Sequence, residues 1–302
     1  MARVLRIEPL DATFGALVTG VRLADIDEGT WAQLHAAWLE HALLVFPGQH
    51  LSHADQLAFA RRFGEIEQLG GRDLVPVGNV KPDGTLRDKT DETDGAVKIL
   101  QGNMGWHCDS TYMPVQAKGA VFTAEVVPSS GGETGWADMR AAYDALDNAM
   151  RARVGRLSAY HSLRYSQAKV GHVPAEGDSY SGYGFDVDDP PLRPLVKVHP
   201  ETGRRSLVIG RHAYGVTGMD PATSERFLTE LVEQACQPPR VYHHRWSPGD
   251  AVLWDNRCLL HRSRPWDMSE RRIMWHSRIA GDASELAAPY AGARPATGDD
   301  AL

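Results

Sequence analysis

The chain has 302 residues, 42% hydrophobic and 24% charged, with 29 Gly and 18 Pro, a balance that excludes collagen-like, disordered and coiled-coil classes. With 39 acidic against 32 basic side chains the formal charge is −7, which argues against nucleic acid as the main partner. Cys108, Cys236 and Cys258 include no CxxC pair, no long apolar h-region opens the chain, and the longest apolar run (42–46) is far short of the roughly 20 residues a membrane helix needs. The expectation is a soluble, cytoplasmic protein with neither a disulfide framework nor a membrane partner.

In chain order, residues 30–41 carry a helical pattern and 43–46 a short strand. Ser52 with Asp55 reads as a capping box opening a helix over 54–63. Residues 81–97 are charged and aperiodic, which predicts a lid. A strand over 119–127 is followed by a helix over 139–154, with Asp138 at its start. A second aperiodic loop, rich in Gly, Tyr, Asp and Pro, spans 166–193. Strands are expected at 195–199, 206–209, 240–246, 251–254 and 272–279, with a helix over 222–235 that Asp220 opens. From residue 281 the composition predicts a frayed tail. Short strands without regularly alternating helices argue for a single antiparallel sandwich or barrel over 1–302, mainly β with flanking helices, and against a doubly wound sheet.

A His-x-Asp pair chelates a metal only where both side chains share a face, which extended backbone allows and a helix does not. The chain contains the pair twice, and with 13 His about one is expected by chance. His53-Ala54-Asp55 falls inside the capped helix, so its side chains diverge. His107-Cys108-Asp109 lies in a non-helical stretch, where His107 and Asp109 can reach one ion with Cys108 turned away. His261 follows an apolar strand. On the last strand Arg272, Met274, His276 and Arg278 share one face, and such charges are costly unless they meet anions. Thr134 supplies a hydroxyl after the tight turn Gly131-Gly132. Two His and one carboxylate leave an iron three open positions, and an Arg with a Thr hydroxyl beside them suits the distal carboxylate of a 2-oxo acid.

These residues, with Val45-Phe46-Pro47-Gly48-Gln49 and Phe59-Ala60-Arg61-Arg62-Phe63-Gly64, resemble the taurine/2,4-dichlorophenoxyacetate dioxygenase family of Fe(II)/2-oxoglutarate oxygenases over nearly the whole chain. Within it, Gly102-Asn103-Met104, the run Trp254 to Arg262 and Trp275-His276-Ser277-Arg278 are most similar to the (S)-2-phenoxypropionate (dichlorprop) dioxygenases. The resemblance implies a double-stranded β-helix, or jelly roll. It makes His107, Asp109 and His261 the iron ligands and catalytic centre, with Thr134, Arg272 and Trp254 at 2-oxoglutarate and Asn103 near the substrate. It also implies O2 as second co-substrate, ascorbate as the reductant used in vitro, and a homo-oligomer.

One departure bears on the substrate. Where many family members carry a second Arg, four residues after the 2-oxoglutarate Arg, this chain has His276, a poorer sulfonate clamp. Arg278 points the same way but lies about 20 Å along the strand from Arg272, at roughly 3.3 Å per residue. Candidate substrate contacts are therefore Lys98, Val80, Met104, Asn103, His276 and Arg278, with a solvated lid lysine as the other reading of Lys98. Cys108 is read as an oxidation-sensitive thiol. The expected reaction hydroxylates the carbon next to the ether oxygen of a small anionic aryloxyalkanoic acid such as an (S)-2-aryloxypropionate or 2,4-dichlorophenoxyacetate. It releases a phenol, a 2-oxo acid, succinate and CO2. A sulfonate, an alkyl sulfate or another small acid is the alternative substrate; a zinc hydrolase and a non-catalytic jelly-roll binding module are the rival classes.

Overall fold

The computed structural model of the chain describes residues 4–173, 183–185 and 187–283. Strands β1 (Arg6–Pro9) and β2 (Ala16–Thr19) lead to helix α1 (Glu28–His41), β3 (Leu43–Phe46) and α2 (His53–Arg61). The capping box at Ser52 and Asp55 is present, so His53 and Asp55 do sit in the first turn of a helix. Then come β4 (Ile66–Glu67), β5 (Val75–Gly78), α3 (Gly95–Gly102), β6 (Gly119–Val126) and β7 (Thr134–Asp138). The expected helix over 139–154 is two helices, α4 (Met139–Asp144) and α5 (Asn148–Val154). The break falls where the Asp147 carboxylate accepts from Met150 N and starts a new turn. Strand β8 (Ser158–His161), α6 (Leu163–Ala168), β9 (Leu192–Pro194), β10 (Val196–Val198), β11 (Arg205–Leu207) and β12 (Ala213–Tyr214) follow. The chain continues through α7 (Pro221–Ala235), β13 (Val241–His244), β14 (Ala251–Asp255), β15 (Leu259–Ser263) and β16 (Ile273–Ile279). Asp138 and Asp220 cap α4 and α7, as their positions in the sequence predict.

The main sheet runs β1-β2-β3-β14-β6-β16-β4, with β5 also paired to β16, and a smaller sheet runs β13-β7-β15. Period-2 alternation sorts the side chains into layers. On β14, Val252 and Trp254 face a core shared with Trp136 and Leu259 of the smaller sheet. Ala251 and Leu253 face the opposite way, into a core formed with Leu34 and Trp38 of α1 and Phe59 of α2. Strands β3 and β14 are buried on both faces, and for that reason they read as unbroken apolar runs. The outer face of the smaller sheet packs Ala137 and Leu260 against Met139 of α4 and Phe227 and Leu231 of α7. Helices thus cover the outside of two facing sheets, a jelly roll.

The same parity turns three of the candidate side chains inward, between the sheets. Thr134 shares the inner face of β7 with Trp136, His261 that of β15 with Leu259, and His276 that of β16 with Met274. The register shift opposite β16 falls between Ile273 and Met274, where Glu125 of β6 is the extra residue, so the alternation of β16 itself is unbroken.

Residues 81–97 are more ordered than their composition suggests. Val80 bridges Leu86, Arg87 donates to both carboxylate oxygens of Asp94 (2.8 and 2.7 Å), and Asp94 caps α3. Of the second loop, 174–182 and 186 lie outside the described residues, as does the tail after 283. Among the described residues no helix is long and apolar enough to cross a membrane.

Candidate active site

His107 and His261 are brought together by backbone. His107 N–H donates to His261 O at 2.9 Å and His261 N–H to His107 O at 2.7 Å, so the two residues form one closely spaced antiparallel pair with their rings on the same side. Their ring centroids are 4.1 Å apart. His107 Nδ1 lies 2.8 Å from Gly105 O, which sets it as the donor and leaves Nε2 for the site. Asp109 is held by Asn256 in the turn between β14 and β15. Asp109 N–H donates to Asn256 Oδ1 (3.0 Å) and Asn256 Nδ2 donates to Asp109 O (2.9 Å). The one turn that carries the chain from β14 of the main sheet to β15 of the smaller one therefore leads to His261 and clamps Asp109. One ligand atom from each of His107, Asp109 and His261 lies within 4.8 Å of the others.

Between them Cys108 points into the core, its thiol donating to Asn256 O at 2.8 Å. Burial pushes that thiol far above its ordinary range, so it is an inert packed group and not the oxidation-sensitive one expected.

Asp109 is 3% exposed. Burial alone would push its carboxyl up, but Arg278 and the imidazoles of His261, His276 and His107 hold it well below the usual carboxylate range. Burial pushes His261 down to about 4 and His107 well below its ordinary value. At neutral pH the cluster is two neutral imidazoles and one carboxylate, the donor set of a non-haem Fe(II) site. Asp109 Oδ2 is buried with no hydrogen-bond partner, 3.7 Å from His261 Nε2. A buried carboxylate oxygen without a hydrogen-bond partner, facing imidazole nitrogens, suits a divalent cation.

Arg272 is 1% exposed and meets no carboxylate among the described residues. Its guanidinium makes long contacts to Val77 O (3.5 Å) and Gly132 O (3.3 Å), lies 5.0 Å from the Trp266 ring centroid, and leaves Nε unpartnered. Gly132 allows that approach: its φ is +70°, and a Cβ there would lie 3.2 Å from Arg272 Nε. Nearby, Thr134 Oγ1 accepts from Trp246 Nε1 at 3.0 Å. An indole only donates, so the Thr134 hydroxyl hydrogen remains available. The Trp254 ring stacks on His276, centroids 5.5 Å apart at 12°, and leans on His261.

These groups line one cavity of about 810 Å³, a volume that suits small organic ligands. Asn103 and Val80 line it, as do His276 and Arg278. Lys98 and Met104 do not, which corrects two of the expected substrate contacts. On α3, Ala96, Ile99 and Leu100 face the cavity, and helical spacing turns Lys98 away, beside Gly171. Met104 sits past the end of α3 in a turn closed onto Gln101 O, with only its neighbour Asn103 reaching the cavity. Arg278 is committed elsewhere, to Asp109 Oδ1 at 2.8 Å. His276 is held by burial to about 4, a neutral ring and no anion clamp.

Sequence reasoning missed Arg211. Its backbone is pinned to Trp106 O (2.8 Å), Nη2 donates to Ser166 O (2.7 Å), and Nη1 is buried at the cavity wall without a partner. The only signal was an Arg-His pair after Gly210, in a loop with no periodicity. A second buried cluster, His199, Asp255 and Cys258, is already neutralised. Asp255 accepts from Arg257 Nε (2.9 Å) and Nη2 (2.7 Å) and pairs with His199 Nε2 (2.9 Å), so it is a structural ion pair.

The chain is 65% identical over 289 residues to an (S)-phenoxypropionate/alpha-ketoglutarate-dioxygenase of Sphingobium herbicidovorans, covering 95% of this chain and 99% of the relative. It is 62% identical over 282 residues to the protein of the same name from Delftia acidovorans, 93% of this chain and 97% of the relative. Among solved structures, AAD-2 in complex with Mn(II) and N-oxalylglycine superposes with a TM-score of 0.83 at 36% identity, over 92% of this chain and 97% of that one. Residues 6–278 match the family of the taurine catabolism dioxygenase TauD and TfdA, and the chain belongs to that family.

Proposed function

We propose that this chain is an Fe(II)- and 2-oxoglutarate-dependent dioxygenase. It hydroxylates the carbon next to the ether oxygen of aryloxyalkanoic acids such as (S)-2-aryloxypropionates or 2,4-dichlorophenoxyacetate. Arg272 is the observation that carries the reading: a buried cation with no anion among the described residues, sharing with Thr134, whose hydroxyl hydrogen is available, the cavity that holds His107, Asp109 and His261. Such an arginine is stable in function only when a carboxylate arrives. His107, Asp109 and His261 hold the metal, Arg272 and Thr134 take the distal carboxylate of 2-oxoglutarate, and Trp254 walls that pocket. When bound, Fe(II) with 2-oxoglutarate and O2 supplies the oxidation that turns C–H into C–OH, the co-substrate leaving as succinate and CO2.

The rest falls to side chains of the chain. Arg211 offers Nη1 to the substrate carboxylate, charge-assisted and out of water. The apolar wall of Leu74, Val80, Ile99 and Phe185 takes the aromatic ring, and Asn103 lies between. Residues 81–97, tied down by Arg87 and Asp94, cover the ring end. The hydroxylated carbon carries both OH and aryloxy groups, so it collapses to a phenol and a 2-oxo acid. The relatives that support this reading carry phenoxypropionate in their names, and the neutral His276 speaks against a sulfonate. The reading also places the enzyme in the cytoplasm as a homo-oligomer, which sedimentation would test.

The test is succinate and phenol release by Fe(II)-reconstituted protein with ascorbate, 2-oxoglutarate and O2. It is run across both enantiomers of 2-(2,4-dichlorophenoxy)propionate, 2,4-dichlorophenoxyacetate and taurine. Both products rise together with the (S)-acid, and His261→Ala lowers both by at least about a thousandfold. Arg211→Leu raises KM for the acid by roughly 30- to 100-fold with KM for 2-oxoglutarate little changed. Succinate without phenol moves the substrate to other small acids. No iron-dependent 2-oxoglutarate consumption with any of them refutes the oxygenase.

A further inference from the structure

Arg278 sits at the centre of a hydrogen-bonded chain in which each donor has one direction. Its Nη2 donates to Asp109 Oδ1 at 2.8 Å, and its Nη1 donates to Ser110 Oγ and Tyr183 Oη, both at 3.2 Å. Each of those hydroxyls passes its own hydrogen to Glu67. Ser110 reaches Oε2 at 2.9 Å and Tyr183 reaches Oε1 at 2.5 Å. The guanidinium carbon also lies 5.7 Å from the Tyr183 ring centroid. Glu67 comes from β4, Arg278 from β16 and Ser110 from the segment that carries the candidate ligands, so three separate parts of the fold meet in one hydrogen-bonded network. Ser110 is fully buried with a φ of +57°, a left-handed conformation unusual for a residue with a side chain, and it turns the hydroxyl onto Glu67.

The consequence falls on Asp109. With Oδ1 taken by Arg278, only Oδ2 is left, buried and unpartnered, 3.7 Å from His261 Nε2 and 3.6 Å from His276 Nε2. We infer that Arg278, backed by Ser110, Tyr183 and Glu67, is a positioning residue that restricts Asp109 to one metal-binding oxygen. A carboxylate gripped this way cannot swing round to chelate through both oxygens, so three metal positions stay open for the co-substrates. Glu67 balances the Arg278 charge, so the guanidinium can hold Asp109 without withdrawing it from the metal. The inference rests on the metal site proposed above.

The test uses full-length, metal-free protein with Mn(II) titrated calorimetrically in the absence of 2-oxoglutarate, and Co(II) added to read coordination number from its visible absorption. Arg278→Gln should weaken Mn(II) binding roughly 10- to 100-fold and alter the Co(II) spectrum. Arg278→Lys, which keeps one N–H for Oδ1, should recover much of both. Tyr183→Phe and Glu67→Gln should move both readouts the same way by less, and they carry the test if Arg278→Gln does not fold. Wild-type Mn(II) affinity and Co(II) spectrum in these variants would overturn the inference. So would a raised KM for the aryloxy acid with metal binding unchanged, which would make Arg278 a substrate anchor. If the wild-type protein binds no Mn(II), or His261→Ala binds it equally well, the site itself falls and this inference with it.

Discussion

The two ends of β16 carry the same residue on the same face with opposite outcomes. Arg272, just before the strand, is buried beside two distant carbonyls and an indole, with no carboxylate in reach among the described residues. Arg278, near its far end, is enclosed by Asp109, two hydroxyls and Glu67. Desolvation costs both. At Arg278 the chain supplies the compensating charge itself, and the arginine belongs to the architecture of the site. At Arg272 none of the described residues supplies it, so burial lowers the guanidinium to about 10, and the balance waits for a ligand. A buried charge marks a binding position when its own fold leaves it unpaired, and a positioning device when the fold completes it.

Substitutions that remove charge and keep bulk separate the two cases. Arg278→Leu leaves Asp109 and Glu67 facing each other without a cation and should cost the metal-free protein about 3–5 kcal/mol, read by urea denaturation. Stability equal to wild type would erase the contrast. Arg272→Leu removes a cation that none of the described residues balances, so metal-free stability should hold or rise. KM for 2-oxoglutarate should rise roughly 100-fold, or about 2.7 kcal/mol. A variant that unfolds as readily as Arg278→Leu would show that Arg272 has a partner after all.

The same rule applied to a base gives the smallest effect. His161 is fully buried with both ring nitrogens unpartnered, and burial first, Arg193 second, lowers it to about 3. A histidine with a lowered folded pKa binds its proton more readily when unfolded. Its contribution is therefore complete above the ordinary value of about 6.5 and is lost as pH falls toward 3. His161→Leu should remove about 1.4 kcal/mol per pH unit from the acid slope of unfolding free energy between those limits, measured by denaturation at pH 5 to 6. An unchanged slope would mean that the imidazole finds a partner in solution.

Much of the frame was legible because it depends on near neighbours. Ser52 with Asp55, Asp138 and Asp220 each satisfy backbone N–H groups two or three residues on, so their caps are visible in sequence. The apolar runs of β3 and β14 were equally plain. Strands β7 and β15 were not, since each carries polar groups that face inward and break the apolar pattern. Helix α3 begins at the end of the charged stretch 81–97 and runs past it to Gly102, so the polar run before it obscured its start. Once it forms, 100° per residue decides that Ile99 faces the cavity and Lys98 does not.

The sequence alone determined the chemistry available: His107 and Asp109 two residues apart in extended chain, His261 after a strand, Arg272 and Arg278 on one face. Those relations are local and follow from backbone period. Tertiary structure decided which charges meet. It placed Asn256 under Asp109, joined His107 to His261 through two backbone hydrogen bonds, gave Arg278 to Asp109, and brought Arg211 to the cavity from the loop between β11 and β12. Electrostatic pairing acts across space at a few ångströms, between groups that lie up to about 170 residues apart in the chain. Periodicity can show that a side chain turns inward; only the packed fold shows what it finds there.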